Sequence, residues 1–409
     1  MVELDRRAKT YRLELRRAVA NGVLESAGST FLLLIAVRWF HIGATAKGLV
    51  AAGGSVGLML TPLVVSQVAR LQWPAAVASS RMAAAGAACF SVMALLPWPA
   101  VFVVGSIAAM AASSAAVPLM TQVYQENYPE SERGKLFSRA IMIRIAAAAI
   151  FSDLAGRWLS SDLANFRPLL LVFAVAFACA SFWLGRCPST PLIADVSSHP
   201  FRAMRFARED RLFRHTLICW MLMGFANLMM LPLRVEYLAG AKYGLALDVA
   251  LVAQLTGVIP NLARLAMSPI WGRLFDQMNF FALRVTLNIG FAVGILTFFL
   301  SDTSPGLIAG AVIYGISNAG GDVAWGLWVT KFAPPERVAD YMSVHTFFTG
   351  LRGVAAPLIS FNLVSRISLP TLGYISAGLI LAATLMLLPE VKLGRQIRRG
   401  TRIVEESSS

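Results

Sequence analysis

The strongest constraint on this 409-residue chain is a succession of apolar runs, each about 20 residues long, parted by short polar breaks. About 20 residues of helix rise roughly 30 Å, the thickness of a bilayer's hydrocarbon core. Inside that core only helices and closed barrels satisfy every backbone donor and acceptor, and barrel strands are half this length. The runs therefore predict an all-α membrane protein with twelve transmembrane helices. The first six fall at about 18–40, 44–68, 75–97, 99–122, 136–159 and 167–186, and the second six at about 213–238, 247–271, 279–300, 305–330, 341–364 and 369–389. Pro97-Trp98-Pro99 parts the closely spaced pair between 75 and 122, as a turn with its indole at headgroup level.

Charge supports the same class. Charged residues make up 14% of the chain and hydrophobic ones 57%, whereas soluble domains carry about 25% charged residues. A net charge of +14 also fits a nucleic-acid binder, but its placement speaks otherwise. With both termini inside, Arg70, Arg81, Arg133, Lys135, Arg139, Arg273, Arg284, Lys331, Arg337 and the tail from Lys392 to Arg402 are all inside. Outside are Arg38, Lys47, Arg157, Arg167, Arg234, Lys242 and Arg366. This is the inside-positive bias of an integral membrane protein. It predicts cytoplasmic termini, a bacterial inner-membrane location and no nucleic-acid partner.

The chain divides into an N-terminal six-helix bundle at 1–186, a cytoplasmic linker at 187–212 and a C-terminal bundle with its tail at 213–409. In the linker, Arg202, Arg205, Arg208, Arg211 and Arg214 recur every third residue among Phe201, Phe206 and Phe213, a pattern that suits a helix lying on an anionic membrane surface. The halves echo each other. Arg38 near the end of the first helix corresponds to Arg234 in the seventh, and Glu132-Arg133 followed by Phe137 corresponds to Glu336-Arg337 followed by Tyr341. Cys89, Cys179, Cys187 and Cys219 are scattered without metal-ligand spacing, and the charged N-terminus lacks the apolar core of a signal peptide. No P-loop or catalytic triad is present, so the expectation is a monomer without enzymatic activity, cofactor or metal.

Two loops give the chain a family likeness. Gly272-Arg273-Leu274-Phe275-Asp276 resembles the G-x-L-x-D signature of the major facilitator superfamily. Glu126-Asn127-Tyr128-Pro129-Glu130-Ser131-Glu132-Arg133-Gly134 resembles that superfamily's E-x-x-P-x-x-x-R-G loop. At the place in the first half that corresponds to the former, Ser66-Gln67-Val68-Ala69-Arg70 lacks both Gly and Asp. The resemblance implies two pseudo-symmetric six-helix bundles and secondary transport by alternating access. It makes Gly272, Asp276, Glu126, Arg133 and Gly134 gate residues, with Gly272 allowing close packing and Asp276 capping the next helix. It also implies a cavity lined by helices one, four, seven and ten and flanked by two, five, eight and eleven.

Ionisable residues inside spans are costly and default to function. Glu25, Arg144, Arg264, Asp322 and Arg352 lie roughly 10–16 Å from the inner helix ends, all on cavity-type helices. The structural alternative is ion pairing between helices, Asp322 with Arg352 or Arg264. Asp153 and Arg157, one turn apart, form a local pair. Three arginines against two carboxylates favour an anion, since guanidinium grips carboxylate and phosphate bidentately. Arg352, Arg144, Arg264, Asn318, Asn261 and Trp325 are the expected substrate residues, and Glu25, Asp322 and His345 the proton carriers. Trp220 and Trp328, near the same cavity, read as packing. The expectation is a proton-coupled transporter of a small organic anion. Efflux of drugs or other amphipathic compounds, and lipid translocation, are the alternatives.

Overall fold

A computed structural model describes residues 2–191, 201–331, 333 and 338–397. Among the described residues, ten helices are long and apolar enough to cross a bilayer: α1 (Asp5–Arg38), α2 (Ala44–Arg70), α3 (Ala75–Leu95), α4 (Pro99–Asn127), α6 (Leu163–Leu184), α7 (Arg211–Ala239), α8 (Val249–Phe275), α9 (Phe280–Phe299), α10 (Ser304–Trp325) and α12 (Leu369–Val391). Two more polar helices, α5 (Glu130–Ser161) and α11 (Val338–Leu363), are consistent with the expected twelve. They are more polar because they carry Arg144, His345 and Arg352. Many large apolar side chains face outward, among them Leu95, Val104, Ile150, Val175 and Leu385, each more than 60% exposed. In water that surface would aggregate, and in a bilayer it meets acyl chains.

Local chemistry sets the helix ends. Pro99 opens α4 after the exposed Trp98, where its missing N–H costs nothing. Asp210 caps α7 by accepting from Phe213 N at 2.8 Å, and Asp248 caps α8 by accepting from Ala250 N at 2.9 Å. Asn279 caps α9, accepting from Phe281 N at 2.9 Å, whereas the sequence reading gave Asp276 that role. Residue 276 is still inside a helix that runs on to Gln277, and its side chain lies outside the described residues, as do Glu336, Arg337 and the tail from Lys392. Gly272 also departs from expectation, because a β-carbon there would meet nothing within 4 Å, so the glycine does not serve close packing.

The linker differs too. The run from Phe201 to Arg214 is not one helix. A short turn, Phe206–Glu209, precedes Asp210, and α7 begins at Arg211. Phe206 and Phe213 are 5% and 0% exposed and pack on Tyr341 and Trp328. Its phenylalanines thus serve the protein core rather than a membrane surface.

The chain forms two compact units, one of residues 1–200 with 235–258 and the other of 201–234 with 259–409. Two of the unit boundaries fall at helix irregularities. α7 is interrupted between Met230 and Leu233, beside Pro232, and α8 contains a wide turn, Gln254–Val258, just before Pro260. The first unit packs Phe31, Phe90, Phe166, Phe173 and Phe177 at its centre. In the second, Phe213, Trp328, Trp220 and Phe280 form a continuous stack, with ring centroids 5.5, 5.2 and 6.5 Å apart.

Candidate functional site

Each unit holds an ion pair between two spans beside a close helix approach. In the first, Arg144 Nε on α5 lies 2.9 Å from Glu25 Oε2 on α1, and the two side chains are 35% and 25% exposed. One turn before Glu25 stands Gly22, where a β-carbon would collide with the Arg144 carbonyl and Ala147. Any other residue would push α1 and α5 apart. In the second unit, Arg264 Nε on α8 donates to Asp322 Oδ2 on α10 at 2.5 Å, and Arg264 Nη1 donates to Asn261 Oδ1 at 3.3 Å. Arg264 is 4% exposed, while the Asp322 side chain keeps 35%. The glycine here is Gly315, against the carbonyl of Pro260 on α8. Both carboxylates are more accessible than a purely structural pair requires.

Of the two structural partners considered for Asp322, the folded chain uses Arg264. Arg352 instead lies against Gly224 of α7 and donates from Nη1 to the Trp220 carbonyl. Its Nε–H is buried without a hydrogen-bond partner, and among the described residues no carboxylate pairs with it. Beside it is His345, 0% exposed, with no hydrogen bond to either ring nitrogen. Trp220, Trp325 and Trp328 enclose the imidazole at centroid distances of 5.5, 5.7 and 5.1 Å. Trp325 and Asn318 are half-buried on α10.

Sequence reasoning missed a further cation here. The sequence counts Arg284 among the inside charges, but it lies within α9, 2% exposed. Its guanidinium covers the Trp220 ring at 3.7 Å, a cation–π contact. It donates to Asn288 Oδ1 at 3.2 Å, and its Nε–H has no partner. The missed signal is the spacing Arg284–Asn288–Phe291, which continues the helical face of an apolar span rather than a loop.

Two networks in the first unit also escaped the sequence. Glu14 Oε1 and Oε2 accept from Arg17 Nη2 and Nε at 2.7 and 2.8 Å, and Tyr124 on α4 joins both residues at 2.7 Å. The charged N-terminal stretch is therefore part of α1 and is packed. At the other end of the unit, Lys47 Nζ on α2 donates to Glu236 Oε1 and Oε2 at 2.9 and 2.8 Å, with Lys242 Nζ at 3.3 Å. Near it, Arg38 Nη2 donates to the Leu247 carbonyl at 2.6 Å, and Ser160 Oγ to Asp248 at 2.7 Å. The local pair Asp153–Arg157 forms as expected, at 2.8 Å.

In the motif loop, Glu126 accepts from Gln122 Nε2 and from Thr190 N, each at 3.0 Å, and so holds the start of the linker. Arg133 Nη2 donates to the Tyr128 carbonyl at 3.3 Å. Gly134 has open space around it.

Fold and charge distribution define the class, an integral membrane protein of two helical units with charged pairs inside its spans. The Major Facilitator Superfamily family matches residues 241–402, and solved structures of similar shape include several transporters. The nucleoside transporter NupG aligns with a TM-score of 0.73 at 12% identity, over 93% of this chain and 98% of the other. A D-xylose–proton symporter gives 0.65 at 16%, over 95% and 96%. The human organic anion transporter MFSD10 (TETRAN) gives 0.67 at 14%, over 94% and 99%. A comparison with curated proteins finds no match. The family's sequence signal thus lies in residues 241–402, and the chain shares the fold of these solved structures over most of its length.

Proposed function

We propose that this protein is a proton-coupled secondary transporter of a small organic anion. The observation that carries the reading is Arg352, a guanidinium inside a span with no carboxylate partner among the described residues and an unused Nε–H. A lone arginine at such depth costs about 3 kcal/mol even on insertion scales, and a bound carboxylate or phosphate would compensate it. Arg284 adds a second uncompensated cation in the same unit. Arg144 and Arg264, by contrast, are already neutralised by Glu25 and Asp322. On this reading anion binding falls to Arg352 with Arg284, and proton exchange to the two half-accessible carboxylates, Glu25 and Asp322. Asn318 and Trp325 supply the polar and aromatic parts of the same site, and His345 supplies a third proton acceptor. The likeness to an organic anion transporter and to a proton symporter supports the class of substrate and the coupling ion. The unpaired histidine within three tryptophans favours a second reading, efflux of aromatic amphipathic compounds.

Uptake into proteoliposomes under an imposed proton gradient, across a panel of organic anions, cationic drugs and labelled lipids, tests the proposal. Gradient-driven uptake of an anion is expected. Movement of cations or lipids alone would sink it. Coupling has its own test. Glu25→Gln and Asp322→Asn each remove a titrating group while keeping a hydrogen-bond acceptor for the arginine. At least one should abolish concentrative uptake while leaving exchange of substrate for substrate. If both variants still concentrate substrate, the protons move elsewhere.

A further inference from the structure

We infer that the second unit carries a separate binding site for an amphipathic oxyanion, a carboxylate or phosphate head on a hydrocarbon chain, built around Arg234. This side chain is 6% exposed. Its Nε donates to the Leu231 carbonyl at 3.3 Å, and its guanidinium lies over the Tyr314 ring at 4.0 Å. Nη1 is buried with no hydrogen-bond partner, and among the described residues no carboxylate pairs with the group. The stacked ring offsets part of the charge, but a ring face accepts no directed hydrogen bond, so the orphaned donor remains.

The Arg234 side chain lines a small, open cleft between α7, α9 and α10. Apart from Asn227, Arg234 and the Tyr314 hydroxyl the cleft is apolar, with Leu231, Phe298 and Phe299 among its walls. One cation on hydrocarbon walls selects a ligand with one anionic end and an apolar remainder. Arg234 lies five residues before the end of α7 at Ala239, about 8 Å inside the helix end. That is near the boundary between headgroups and acyl chains, where such a ligand already resides. Arg234 is distinct from Arg352, which contacts Trp220 and Gly224 three turns earlier on α7.

The test uses the full-length protein, purified and delipidated, with three probes: oleate, dioleoyl phosphatidylglycerol and inorganic phosphate. Retention by native mass spectrometry and equilibrium binding of labelled oleate are the readouts. A single equivalent of oleate or of phosphatidylglycerol is expected to bind, and the preferred one identifies the head as carboxylate or phosphate. Arg234→Gln should weaken it roughly tenfold or more, the worth of one charge-assisted hydrogen bond. Leu231→Trp fills the cleft and leaves the guanidinium in place. It should also abolish binding, and it keeps the test decisive if Arg234→Gln does not fold. Unchanged binding in either folded variant, equally tight binding of phosphate without a chain, or retention of none of the probes would overturn the assignment.

Discussion

Replacing Arg352 by alanine is expected to weaken binding of the organic anion by about 10- to 100-fold, the loss of one or two charge-assisted hydrogen bonds. Arg352→Lys keeps the charge, but an ammonium lacks the planar fork and is more strongly hydrated. Affinity should therefore fall by an intermediate amount. Arg284→Ala should behave differently. It removes the cation from the Trp220 face, so both affinity and the packing of the aromatic stack suffer, and thermal stability should drop with the binding constant. Arg352→Ala, whose guanidinium lies in a half-buried position beside Gly224, should unfold close to the wild-type temperature. Equilibrium binding and thermal unfolding on the same detergent samples separate the two. Unchanged affinity in a folded Arg352→Ala variant would remove the basis of the anion proposal.

The second large effect is expected at Glu236. Its carboxylate is 2% exposed and takes both bonds from Lys47, which is itself only 15% exposed. Removing one member of a buried pair strands the other charge, at a cost of roughly 3–5 kcal/mol. Glu236→Gln should lower the unfolding temperature by several degrees, and Lys47→Met in the same chain should restore much of the loss, because the stranded ammonium is then gone. Lys242, 53% exposed, is screened by solvent, and its replacement should matter little. The pair fastens the segment 235–258 to α2 within the first unit. The same variants should therefore change the rate of substrate exchange if that contact opens during transport. Additive losses in the double variant would show that Lys47 and Glu236 are not energetically coupled.

The helical passes were legible because burial in lipid is a one-dimensional property. A run of about 20 apolar residues has no alternative to a helix, and prolines such as Pro99 and caps such as Asp210 and Asn279 act within a turn of their own position. Composition and charge placement likewise determined that the protein lives in a bilayer. The in-span charged residues could be named for the same reason, since a charge among apolar neighbours stands out in the sequence itself. Their partners could not. Asp322 was equally available to Arg264 and Arg352 on helical spacing. Only the close approach of α10 to α8 at Gly315 gave it to Arg264 and left Arg352 on a backbone carbonyl. The burial of Arg284, the Lys47–Glu236 pair and the inward turn of Phe206 were hidden for the same reason. Each depends on residues far apart in the chain, and a side chain's neighbours across a helix interface are set by packing geometry that no local pattern encodes. The sequence by itself determined which groups were charged and at what depth, while the tertiary structure decided which of those charges were compensated.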